Sequence, residues 1–186
     1  MAAASTGRRR IARSGAGFTG APAVVSSRRL IPAIAAFVIG LAAILGAWGF
    51  QLIGGYVPCK LCLEQRVPYY TGLPVLALGI ILLASGRKAA LSRVVLILAG
   101  AIFIVGAGLG VYHAGVEWGF WLGPADCGGG TATTGNAADL MSQISSIKVV
   151  SCTEASWRLL GLSFAGWNVV ASALVAALSL TAAFRR

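Results

Sequence analysis

Two thiols three positions apart, Cys59 and Cys62, carry the most chemistry per residue in this chain. In a Cys-x-x-Cys pair one thiol commonly has a depressed pKa, and the thiolate is the species that attacks, is oxidised or binds metal. Arg66 follows Cys62 at i+4, so on a continuous helix the two share a face. A guanidinium keeps its charge, and a fixed cation favours a neighbouring thiolate, so Cys62 and Arg66 read as a unit. If Cys59 opens a helix, its sulfur also sits at the positive end of the helix dipole. A c-type haem attachment site is excluded, because Leu63 and not His follows Cys62. A structural staple and half of a zinc site remain as competing readings of the pair alone.

The elements that hold this pair are apolar. Of 186 residues, 58% are hydrophobic and 11% charged, whereas a soluble domain carries about 25% charge. Four runs are long enough to cross a bilayer, which takes about 20 apolar residues. They cover about 30–53, 67–84, 91–112 and 159–184. The expected fold is therefore an all-α integral membrane protein, an antiparallel four-helix transmembrane bundle with two external loops, 54–66 and 113–158. Residues 1–29 read as a disordered basic cytoplasmic tail; an organelle transit peptide of similar composition is the alternative. Gly106-x-x-x-Gly110 permits close helix approach in the third run. Leu140, Ile144 and Ile147 recur at helical spacing in the second loop. They suit an interfacial helix or an ordinary loop helix packed on the bundle.

Charge orients the bundle. Eleven basic residues and no acid fall in the tail, the turn at Arg87 and Lys88 with Arg93, and the end at Arg185 and Arg186. The other side holds Lys60, Arg66, Lys148 and Arg158 together with all five acids. The positive-inside rule then puts the termini in the cytoplasm and both loops outside. All four cysteines, Cys59, Cys62, Cys127 and Cys152, lie in those loops, in a compartment where disulfides persist. The net charge of +10 thus reflects topology, not nucleic-acid binding.

Four cysteines allow three pairings; the plainest is Cys59–Cys62 in one loop and Cys127–Cys152 in the other. A four-cysteine zinc site fits poorly, because the second pair is 25 residues apart and lacks the doubled Cys-x-x-Cys of a zinc ribbon. His113, the single histidine, reads as an interfacial residue satisfied by water or a carbonyl.

Pro58-Cys59-Lys60-Leu61-Cys62-Leu63-Glu64-Gln65-Arg66 resembles the first external loop of the DsbB family, the disulfide-bond formation protein B family. The second loop is similar as well: Tyr112-His113, Trp118-Gly119, Gly123-Pro124 and Cys127 stand in the family's order. So do Cys152-Thr153-Glu154, Trp157, Leu160-Gly161-Leu162 and Trp167-Asn168. The resemblance covers about residues 30–184; Lys60 and the long tail depart from it. It implies a thiol–disulfide oxidoreductase of the bacterial inner membrane that reoxidises a periplasmic DsbA-like thiol oxidase. Electrons would pass to ubiquinone or menaquinone, a relay known to keep the periplasm oxidising.

On that resemblance, a partner thiolate attacks the Cys127–Cys152 disulfide at Cys127 and the released Cys152 attacks Cys59. Cys62 is then left as the thiolate facing the quinone, with Arg66 polarising a quinone oxygen and His113 nearby as a hydrogen-bond donor. The second loop is expected to be flexible, because Cys152 must reach Cys59. Trp157, Trp167 and Asn168 are expected to pack, and Asn168 to need a hydrogen-bond partner. The competing classes are a tetraspan protein whose disulfides are staples, and a vitamin K epoxide reductase-like enzyme. In the latter the active Cys-x-x-Cys is expected late in the chain and not after the first span.

Overall fold

A computed structural model describes residues 27–86, 89–124, 148–149 and 152–185. The tail, the candidate loop helix at Leu140–Ile147 and Cys127 lie outside the described residues. Among the described residues five helices appear in order: α1 (Ser27–Leu52), α2 (Lys60–Glu64), α3 (Val67–Ser85), α4 (Ala89–Glu117) and α5 (Phe164–Phe184). Four two-residue strands accompany them: β1 (Tyr56–Val57), β2 (Lys148–Val149), β3 (Arg158–Leu159) and β4 (Leu162–Ser163). The segments Arg28–Leu52, Lys60–Ser85, Ala89–Glu117 and Phe164–Phe184 are each long and apolar enough to cross a membrane. The protein is a multi-pass, all-α membrane protein.

The four long helices form a ring in which α1 meets α3, α3 meets α4, α4 meets α5 and α5 returns to α1. The ring is inside-out relative to a soluble bundle. Ile31, Ile81, Val94 and Val105 point outward, each more than 59% exposed, as a hydrocarbon solvent allows. The interior holds Leu76, Leu96, Phe103 and Val175 with the small polar Ser92, Ser172 and Ser179. Gly106 and Gly110 face α5, and a Cβ on Gly110 would meet Val169 Cγ2 at 2.8 Å. The close approach expected of that motif is therefore realised against the last helix. Tyr69 Oη donates to Asn168 Oδ1 at 2.8 Å, and Asn168 Nδ2 donates to the Gly106 carbonyl at 3.3 Å. Asn168 thus ties α3, α4 and α5 at one level.

Three arginines mark the opposite end. Arg29 Nε donates to the Ala182 carbonyl at 2.8 Å, and Arg93 Nε to the Ala183 carbonyl at 3.2 Å. Arg185 Nη1 donates to the Arg28 carbonyl at 3.4 Å. The starts of α1 and α4 and the end of α5 therefore share one face. Arg29 and Arg93 satisfy carbonyls that the C-terminus of α5 leaves open.

Two boundaries differ from the sequence reading, and both matter for the site. The third span continues five residues past Tyr112, to Glu117, so His113 sits on a helix and not in a loop. The helix stops at Gly119, whose φ is +73°, with Phe120 N–H closing back on the Gly115 carbonyl at 2.9 Å. The fourth span starts at Phe164 and not near Leu159. Leu160 and Gly161 both have positive φ, 53° and 83°, and form a tight two-residue hairpin turn between β3 and β4. Ser163 then caps α5 by accepting from Gly166 N–H. Leucines at 159, 160 and 162 made this hairpin look like more span.

Candidate redox site at the outer end of the bundle

The first loop brings Cys59 and Cys62 together through a short helix. Cys59 is the N-cap of α2, and its Sγ accepts from Cys62 N–H at 3.3 Å. The two sulfurs are 2.9 Å apart, and both cysteines are free thiols. Cys59 is fully buried, whereas Cys62 is partly exposed.

The second loop docks on the first. β1 and β2 pair in parallel, Tyr56 with Lys148 and Val57 with Val149. Cys59 follows β1 by two residues and Cys152 follows β2 by three, so this register delivers both sulfurs to one place. Cys152 is fully buried and held in a disulfide; the expected pairing with Cys127 lies outside the described residues. The sulfurs of Cys59 and Cys152 and a ring nitrogen of His113 lie within 4.8 Å of one another. The loop motion expected to bring Cys152 to Cys59 is thus not needed to bring these two sulfurs near each other. Zinc is a poor occupant of this trio, because a metal needs the thiolate and Cys152 is already bonded to sulfur.

His113 is 1% exposed. Its Nδ1 pairs with Gln65 Nε2, leaving Nε2 to face Cys59 Sγ at 3.9 Å and Glu117 Oε1 at 4.0 Å. The Gln65 contact fixes the ring so that Nε2 is turned toward the Cys59 sulfur. The residues alone had His113 satisfied by water or a carbonyl, whereas the resemblance put it near the quinone as a hydrogen-bond donor. The difference arises because α4 runs on past it and buries it against α2.

The two thiols are electrostatically unequal. The hydrogen bond from the Cys62 thiol pulls Cys59 well below the usual thiol range, to about 5. Burial opposes this, while His113 and the Cys62 N–H assist it. The sequence expectation was a thiolate on Cys62. In the free dithiol the charge rests on Cys59 instead, because more donors converge on that sulfur.

Arg66 does not form a continuous helix with Cys62. Gln65 and Arg66 make a turn between α2 and α3, and Arg66 reaches across to α1. Nη1 donates to Gln51 Oε1 at 2.6 Å and Nη2 to the Ala47 carbonyl at 3.2 Å, with the guanidinium 5.3 Å from the Trp48 ring centroid. It is 8% exposed.

Cys62, Gln65, Arg66 and His113 all border one cavity of about 410 Å³ between α1, α3 and α5. Its remaining wall is mostly apolar, with Phe50, Tyr56, Trp157 and Phe164, and adds the polar Tyr69 and Asn168. These rings pack on one another, Phe50 on Phe164 at 4.7 Å and Trp157 on Phe164 at 5.0 Å. Trp157, expected only to pack, therefore also shapes the cavity. Few polar groups in an apolar chamber of this size suit a flat, lipophilic ligand. Glu117 and Gln65 were not singled out as site residues from sequence. The spacing His113-x-x-x-Glu117 was the available signal, but it gains meaning only once residues 113–117 are helical.

Comparison with known proteins supplies one match. The family model described as disulfide bond formation protein DsbB aligns with residues 28–182. No curated protein and no solved structure matches the chain.

Proposed function

This chain belongs to the DsbB family, and from that premise we propose that it reoxidises a periplasmic DsbA-like dithiol and delivers the electrons to a membrane quinone. That it is a membrane oxidoreductase of disulfide bond formation follows from the family itself. The choice of partner and acceptor is our reading. One observation carries it: a second-loop disulfide sulfur, Cys152, lies within 4.8 Å of Cys59, while Cys62 borders the apolar cavity. A partner-facing couple and a lipid-facing couple thus meet through adjacent sulfurs.

The partner's thiolate attacks Cys127, forming a mixed disulfide and releasing Cys152 as thiolate. Cys152 attacks Cys59, which breaks the Cys59–Cys62 bond and frees the Cys62 sulfur at the cavity wall. Exchange of this kind needs an attacking thiolate and access to the target sulfur, and the short Cys59–Cys152 separation supplies the second. The residues fit a quinone: a mostly apolar chamber lined by aromatic rings, with the Arg66 guanidinium, the Gln65–His113 pair, Tyr69 and Asn168 among its polar groups. Ubiquinone or menaquinone, when bound, would supply a two-electron acceptor. Arg66 would hold a quinone oxygen by charge-assisted donation, and the rings would orient the head group. The basic ends at Arg29, Arg93 and Arg185 would lie in the cytoplasm of a bacterial inner membrane, with both cysteine loops in the periplasm.

The direct test is a trap. Cys152→Ser, mixed with a reduced thioredoxin-fold partner, should accumulate a disulfide-linked adduct at Cys127. Cys62→Ser should still form the adduct but fail to reduce quinone. No adduct from Cys152→Ser would refute the assigned order.

A further inference from the structure

The end of the bundle away from the thiols carries charge that no acid of this chain offsets. Arg28 and Arg29 open α1, Arg93 lies near the start of α4 and Arg185 caps α5. All five acids fall in or beside the two cysteine loops, and Glu117 lies roughly 36 Å of helix away from Arg93. The positive-inside rule accounts for basic residues at one end of a membrane bundle. It does not account for their converging on one spot, and here they do.

Arg29 Nε donates to the Ala182 carbonyl at 2.8 Å and Nη2 to the Ala183 carbonyl at 3.4 Å. Arg93 Nε donates to that same Ala183 oxygen at 3.2 Å. Two guanidinium groups from different helices thus share one neutral acceptor. Arg185 Nη1 reaches the Arg28 carbonyl at 3.4 Å and sets a third beside the start of α1. The C-terminus of α5 supplies only about half a negative charge, so its carbonyls cap these cations without neutralising them. Many donors are also left over. A guanidinium has five N–H bonds in a planar fork. Among the described residues Arg93 spends only Nε and Arg185 only Nη1, and both side chains are exposed. Such forks grip a phosphate bidentately.

We propose that this end of the bundle is a binding site for an anionic phospholipid, whose headgroup phosphate bridges the guanidinium groups of Arg29 and Arg93. Arg28 and Arg185 add charge to the site. The surroundings select a lipid over a free anion. Ile31, Val94 and Phe184, each at least 60% exposed, stand within two residues of Arg29, Arg93 and Arg185 on helices apolar enough to span a membrane. A phosphate that carries acyl chains meets both the cationic spot and this apolar surface, whereas a free ion meets only the first. Basic pockets between spanning helices suit anionic headgroups for the same reason. The bound lipid would fasten α1, α4 and α5 together at the end opposite the thiols.

Native mass spectrometry of the detergent-purified full chain tests this. The protein is titrated with phosphatidylglycerol or with phosphatidylcholine of the same acyl chains, and bound lipid is counted at each concentration. Phosphatidylglycerol should bind about tenfold more tightly, the scale of one charge-assisted contact. Arg93→Gln should remove that preference. Arg10→Gln, which takes the same charge from the N-terminal tail, should keep it. Equal binding of the two lipids by the natural protein would overturn the proposal. So would an equal loss in Arg10→Gln, which would show diffuse charge and no site. Inorganic phosphate in large excess separates the two sources of phosphate: it should leave the lipid bound, and displacement would mark an ion site instead. Should Arg93→Gln fail to fold, Arg93→Lys keeps the charge and loses the fork. It should bind phosphatidylglycerol more weakly than the natural protein, and unchanged binding would overturn the bridged phosphate.

Discussion

Cys59 and Cys62 are three residues apart yet see different surroundings, one sealed against His113 and Cys152, the other open to an apolar chamber. Cys59, held near 5, should show the ultraviolet absorbance of a thiolate that vanishes as pH falls through about 5, and Cys59→Ser should abolish that step. The linked stability has a definite sign. The folded pKa lies below that of an unfolded thiol, about 8.5. The reduced protein should therefore gain its full increment above about pH 8.5 and lose it as pH falls toward 5. Melting temperature of the reduced form across that window measures this, and the oxidised form should lack the trend. Arg66→Ala should raise the quinone KM about tenfold or more, the scale of one charge-assisted contact at about 1.5–3 kcal/mol, while leaving exchange at Cys127 intact. Steady-state kinetics at varied quinone separates the two effects. Cys59, Cys62 and Arg66 were legible from type and spacing. The low proton affinity of Cys59 was not, because it depends on donors that only the folded loop gathers at that sulfur, the Cys62 thiol first and then His113 from a helix 54 residues away in sequence.

At the scale of elements, four hydrophobic runs located the four spanning helices, because no other structure satisfies so much backbone in lipid. The ends were less legible. Residues 113–117 carry a histidine, a glycine and an acid, which read as loop, but Gly115 is where the Trp121 ring folds back against α4. A Cβ there would lie 2.1 Å from that ring, and Trp121 Nε1 donates to the Tyr112 carbonyl at 2.8 Å. At the fourth helix, a leucine-rich hairpin was indistinguishable from span until its positive φ angles were known. Two substitutions probe these elements. Ser163→Ala should lower thermal stability by about 1 kcal/mol through loss of the α5 cap. Gly110→Leu, which drives a side chain into Val169, should cost about 1–3 kcal/mol by overpacking. Thermal melts in detergent should rank them in that order, and equal effects would contradict the tight α4–α5 approach.

As a whole, the molecule keeps sulfur exchange and the apolar cavity on different sides of the Cys59–Cys62 pair. A parallel pair of two-residue strands holds the two cysteine loops together, placing the Cys152 disulfide over the buried Cys59 thiol. The apolar cavity opens between helices, and the arginine-tied end closes the bundle on the far side. In intact cells, thiol reagents that cannot cross a bilayer should label the reduced cysteines from outside. Labelling from the cytoplasmic side alone would invert the topology.

The central claim is that electrons from a soluble dithiol end on a quinone beside Cys62. Purified protein supplied with a reduced thioredoxin-fold partner and ubiquinone, followed by quinone absorbance, tests it most directly. The account predicts one quinone reduced for each partner disulfide formed, with no reduction by Cys62→Ser. Partner oxidation while the quinone stays oxidised, or undiminished quinone reduction by Cys62→Ser, would contradict it.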